Sequence, residues 1–172
     1  MGANFTDHPA GNDTAATRSR PDPAGFIKAN MCPMPVAALP EILLYTPHPG
    51  SGLRRLVEVE AETGWEVPEP QPPYWAYAWA GGAVLARHIL DRPETVAGRR
   101  VLDLGAGAGL VGIAAAKAGA REVIAAEIDR NGVAALGLNA AANGVEIITF
   151  DKDITTGPPP ATSREVPPRA RA

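Results

Sequence analysis

Val101-Leu102-Asp103-Leu104-Gly105-Ala106-Gly107-Ala108-Gly109 is a short apolar run, broken by one acid, that ends in glycines at alternate positions. Such a run reads as a buried strand, and the glycines as the tight turn that leaves it. Working forward, Leu110 to Ala118 is small and apolar and stops at Gly119, which predicts a helix. Val123 to Ala126 is a second strand, and Asp129 caps a helix that reaches about Ala142 and closes at Asn143-Gly144. Gly132 and Gly137 weaken that helix without forbidding it. Val145 to Phe150 is a third strand. Strands alternating with helices in this way predict an α/β fold with a parallel sheet.

Working backward, Trp79 to Leu90 is helical in pattern, and Pro93 and Gly98 break the chain before the first strand. Further upstream the prolines crowd. Eleven of the 18 fall between Pro21 and Pro73, five between Pro158 and Pro168, and between Tyr74 and Gly157 there is only Pro93. Glu41 to Tyr45 reads as a short strand, and Leu53 to Glu62 as a helix with Leu53, Leu56 and Val57 on one face. Residues 1–25 are small, polar and aperiodic, a disordered arm, and residues 26–78 form the lead-in that carries the short strand and helix.

Composition bounds the function. The 16 Lys and Arg nearly balance the 19 Asp and Glu, so no basic excess points to nucleic acid. No apolar run approaches the roughly 20 residues that cross a bilayer, no secretory leader is visible, and a cytoplasmic protein is expected. A single cysteine, Cys32, excludes an internal disulfide framework, and His8, His48 and His88 lack ligand spacing, so no metal site is expected.

The chemistry is concentrated in the glycine turn. Gly105, Gly107 and Gly109 let a ligand approach the backbone, and the following helix turns its amide end toward that ligand. Glu127 closes the second strand, where a carboxylate can accept from both hydroxyls of a ribose. Two cofactors fit. Gly107 to Gly112 also satisfies the dinucleotide G-x-G-x-x-G pattern, with Glu127 20 residues after Gly107. Asp103 separates the two, because an acid repels a pyrophosphate and attracts the ammonium of a methionine moiety. S-adenosyl-L-methionine is therefore favoured over NAD(P).

Here the chain resembles the class I S-adenosylmethionine-dependent methyltransferases, a Rossmann-like, seven-strand fold. More narrowly it is similar to the lysine methyltransferases of the electron-transfer flavoprotein β subunit and to their bacterial relatives, often labelled ribosomal protein L11 methyltransferases. The narrow likeness rests on Pro73-Tyr74-Trp75-Ala76-Tyr77-Ala78-Trp79-Ala80-Gly81-Gly82, with Ala80 where the family has proline, on Leu85 to Pro93, on Val101 to Gly109, and on Ala126 to Asp129. It implies that Asp103, Gly105, Gly107 and Gly109 hold the methionine end and the turn. It also implies that Glu127 holds the ribose, that Asp153 or else Asp151 approaches the adenine, and that Trp79, Gly81 and Gly82 cover the cofactor. Trp75, Tyr77 and Trp79, at every second position, would share one side of an extended segment, with core packing as their other reading. The implied acceptor is a protein lysine, on the flavoprotein subunit or a ribosomal protein, and no residue is assigned a catalytic role.

Only the first three of the seven strands are legible. Residues 79–156 would form the cofactor-binding half. Residues 157–172, rich in Pro, Ala and Arg, read as an unstructured tail, expected to be out of frame in a truncated gene. On that expectation the first strand is left as an unprotected edge, prone to association. A non-catalytic nucleotide-binding fragment is then the alternative to an enzyme.

Overall fold

The computed structural model describes residues 22–54, 72–154 and 157. The 1–21 stretch, most of the Leu53–Glu62 helix, and nearly all of the tail lie outside the described residues.

Asp22-Pro23 opens the first element. The Asp22 carboxylate accepts from the Ala24 amide at 3.1 Å, proline occupies the first turn, and helix α1 runs over Pro23–Asn30. It begins inside the segment expected to be an arm. The signal was local, an acid cap followed by proline and then Phe26 and Ile27.

Strand β1 (Cys32–Val36) and strand β2 (Leu39–Thr46) form an antiparallel hairpin with Pro33 opposite Tyr45 and Pro35 opposite Leu43. Only the second strand was expected, because proline argues against a strand. The register explains the exception. The Leu43 and Tyr45 amides point away from β1, to Asn143 and Asn139, so the proline positions belong to non-hydrogen-bonded pairs. No amide is needed there.

A 3-10 turn covers Tyr74–Ala76, helix α2 covers Ala80–Asp91, and a second 3-10 turn covers Pro93–Thr95. Then follow β3 (Arg100–Leu104), α3 (Leu110–Lys117), β4 (Glu122–Ala126), α4 (Arg130–Ala142) and β5 (Ile148–Phe150). The three strands are parallel in the order β3-β4-β5, as the alternation predicted. The last strand is shorter than expected: Val145 and Ile147 pack on the core ahead of it rather than pairing.

The helices lie between two β layers. Leu39, Ile42 and Leu44 of the hairpin share one core with Ala86 and Ile89 of α2, Leu110 to Ala115 of α3, and Val123 of the sheet. A second core joins Ile27 and Met31, Leu53, Trp75 and Ala76, and Ala135 of α4. The described parts of the Pro-rich lead-in, residues 26–54 and 72–78, are thus packed onto the α/β unit. Along β3 the side chains alternate. Val101 and Asp103 turn toward the helices, whereas Leu102 and Leu104 are exposed, as is Ile148 on β5. Among the described residues no strand pairs with the outer edge of β3, and no helix is long and apolar enough to cross a membrane.

Candidate cofactor site

The glycine turn lies at the carboxyl end of β3, where open α/β sheets place their ligands. Gly105, Gly107 and Gly109 take φ of 65, 53 and 83°, the left-handed region that a side chain disfavours. The turn is pinned from both sides. The Ala106 amide donates to the Ala126 carbonyl at 3.0 Å, and the Gly109 amide to the Ala106 carbonyl at 2.8 Å.

Glu127 reaches into this turn. One carboxylate oxygen accepts from the Gly107 amide at 2.7 Å and the other from the Asp129 amide at 2.8 Å. The acid and the loop, 20 residues apart, are therefore one site. Each oxygen keeps a further lone pair for a hydroxyl donor.

Asp103 does more than was expected of it. Gly109 caps α3 without a side chain to offer, and Asp103 supplies the missing acceptor from the strand below. Its carboxylate takes the Gly112 amide, in the first turn of α3, at 2.8 Å. Burial pushes the Asp103 carboxyl above its ordinary value, the Gly112 amide opposes this, and the Glu127 charge adds to it. Asp129 is raised in the same way, by burial first and then Glu127, against the amides of Asn131 and Gly132. None of the ion pairs among the described residues involves these three acids. The three acids thus gather at the turn with backbone amides but no cationic side chain among the described residues, a setting that favours a cation. With the Gly107, Gly109 and Gly112 amides engaged, those of Ala108, Leu110 and Val111 meet no protein acceptor among the described residues.

Trp75 takes the packing reading, and Gly132 was missed. Trp75 is buried, and its backbone lies over the turn, with its Cα 3.6 Å from the place a Gly107 side chain would take. Gly132 faces it: a methyl group there would sit 2.9 Å from Glu127 Cγ and 3.3 Å from Trp75 Cβ. That glycine admits the acid and the indole together, at the expense of helix propensity. No signal in the sequence separated it from Gly137, whose added methyl would meet open space.

The aromatic segment differs from its expectation. The 3-10 turn rotates Trp75 inward, while Tyr74, Tyr77 and Trp79 are more than half exposed, with Trp79 tilted against Tyr74 and edge-on to Tyr77 at centroid distances of 5.6 and 6.5 Å. Trp79 Nε1 donates to the Tyr74 carbonyl at 2.9 Å. Gly81 faces open space, and Gly82 lies across from Leu110 and Val111 at the start of α3. Asp151 and Asp153 follow β5 and are exposed. Among the described residues, no cluster of His, Cys, Asp and Glu is arranged to hold a metal.

The sequence comparisons bear on this same stretch. Residues 85–157 match the model of the ribosomal protein L11 methyltransferase (PrmA) family. The rat electron transfer flavoprotein beta subunit lysine methyltransferase is 40% identical over 94 residues, 53% of this chain and 37% of that protein. Its Xenopus laevis counterpart is 40% identical over 106 residues, 60% of this chain and 43% of the other. A ribosomal protein L11 methyltransferase of Geobacter sulfurreducens is 47% identical over 62 residues, 36% of this chain and 19% of the other. The methyltransferase resemblance read from the glycine turn is borne out over the second half of the chain. The chain spans well under half the length of these relatives.

Proposed function

We propose that the chain is the cofactor-binding part of an S-adenosylmethionine-dependent methyltransferase acting on a protein lysine, with residues 79–156 forming that part. The observation that carries the reading is the Glu127 carboxylate seated on the Gly107 amide beside a buried acid. An acid suited to a ribose thus sits on the glycine turn, close enough to a second acid for its charge to be felt there.

The residues present fit the cofactor. Glu127 would accept from the ribose hydroxyls, and the amides of Ala108, Leu110 and Val111 would donate to the ligand. Asp103 would face the ammonium of the methionine end, with Gly105, Gly107 and Gly109 giving the backbone room. Gly81 and Gly82 would let α2 close over it, with Trp79 as an apolar wall, and Asp153 would stand near the adenine. Bound there, S-adenosylmethionine supplies a methyl group on a sulfonium, already activated for displacement. The protein's share is therefore alignment and desolvation rather than proton transfer at the methyl donor. A lysine acceptor has to lose its proton from a reference pKa of about 10.4, which an apolar wall favours.

The acceptor is read from the relatives' names: a lysine of the electron-transfer flavoprotein β subunit or a residue of ribosomal protein L11. The second reading is a nucleotide-binding unit that transfers nothing, in keeping with a site whose described residues bind and orient and include none assigned to catalysis. Incubation with tritiated S-adenosylmethionine and a cell lysate separates the two. Label in a discrete protein band, absent with Glu127→Ala, supports the transferase. Cofactor binding with no labelled band supports the binding unit.

A further inference from the structure

Helix α4 holds the glycine turn through one residue that neither the spacing nor the comparisons single out. Asn139 is fully buried. Its Oδ1 accepts from the Tyr45 amide of β2 at 2.7 Å, and its Nδ2 donates to the Ala108 carbonyl of the turn at 2.9 Å. One turn earlier, Leu136 lies 3.2 Å from where a Gly109 side chain would begin. One turn later, Asn143 closes on both backbone groups of Leu43, accepting its amide at 3.0 Å and donating to its carbonyl at 2.6 Å. Asn143 thus completes the outer edge of the hairpin, and Asn139 ties that edge to the turn.

The Ala108–Gly109 peptide is consequently held at both ends. Its carbonyl is fixed by Asn139 and its amide by the Ala106 carbonyl. That plane directly precedes the first amides of α3. A buried side-chain amide is costly unless donor and acceptor are both satisfied, and here the two partners belong to different layers of the fold.

We propose that Asn139 is the positioning residue of the cofactor turn. By orienting the Ala108–Gly109 peptide it aims the amides of Ala108, Leu110 and Val111 at the ligand. The proposal rests on the cofactor reading above and adds the residue that presets the site.

The test compares Asn139→Asp with Asn143→Ala in the full chain. The aspartate keeps the acceptor for Tyr45 and replaces the amide donor to Ala108; the alanine removes the bonds to Leu43 and to the Asn139 carbonyl and leaves the Asn139 side chain on Ala108. Two readouts are used: calorimetric titration with S-adenosylhomocysteine, and amide hydrogen exchange of the free protein. Asn139→Asp should weaken binding about tenfold and speed exchange at Gly109, the bonded amide of the turn, by a similar factor, the size expected for one lost buried hydrogen bond. Asn143→Ala should speed exchange at Leu43 and leave the affinity within about twofold. If Asn139→Asp lacks native circular dichroism, Asn139→Ser is read in the same way. Wild-type binding together with unchanged affinity and unchanged exchange at Gly109 in the variant overturns the proposal alone. A wild-type chain that binds no S-adenosylhomocysteine overturns the cofactor reading, and the proposal with it.

Discussion

At Gly132 a methyl group has nowhere to go, since Glu127 Cγ would lie 2.9 Å away. Gly132→Ala should therefore displace the carboxylate or the helix, costing about 1–3 kcal/mol of stability, the usual penalty for overpacking. It should also weaken S-adenosylhomocysteine binding, whereas Gly137→Ala should stabilise or leave both unchanged. Thermal melts with parallel titrations decide this; equal effects at the two glycines would contradict it. Asp103 makes the site pH-dependent. Burial holds its pKa above the unfolded value. Its contribution to folding is thus favourable at low pH, declines as pH rises from the ordinary carboxylate value through the raised one, and is level above that. A cationic ligand beside it has the opposite preference, so affinity for the ammonium-bearing cofactor should climb through the same interval. Asp103→Asn should flatten that climb in titrations between about pH 4 and 7. A wild-type affinity already flat over that interval would remove Asp103 from the methionine end.

The elements divide sharply in how much of them could be read ahead. The βαβαβ order from Arg100 to Phe150 was legible because small apolar runs, glycine stops and the Asp129 cap all agree. Asp129 accepts from the Asn131 and Gly132 amides, so Asp129→Ala should cost about 0.5–2 kcal/mol by urea denaturation. A loss below the scatter of such melts would mean that packing alone holds α4. The hairpin was half legible, since prolines disguise β1 and only the register to β2 shows why they are tolerated. The site was legible at Gly105, Gly107, Gly109 and Glu127, whose spacing encodes a turn and an acid. Gly132 and Asn139 were not, because their importance lies in tertiary contacts that no spacing encodes, and Trp75 could not be told from its aromatic neighbours until the 3-10 turn set its direction.

For the whole molecule, the helix layer is covered by the hairpin on one side and the sheet on the other, and the sheet's far face keeps Leu102 and Leu104 46% and 65% exposed. With the outer edge of β3 unpaired among the described residues, the 172-residue chain carries an apolar face beside open strand amides. Leu104→Lys should accordingly reduce light scattering at high protein concentration while leaving the melting temperature nearly unchanged. Scattering as strong as that of the wild type would place the association elsewhere. The molecular account depends above all on the glycine turn and Glu127 acting together on an S-adenosyl ligand. Calorimetric titration of the purified chain and its Glu127→Ala variant with S-adenosylhomocysteine, beside NAD, tests this directly. One equivalent of S-adenosylhomocysteine bound by the wild type, most of the affinity lost in the variant, and no heat with NAD is the predicted result. No binding of S-adenosylhomocysteine, or equal binding by both proteins, would contradict it.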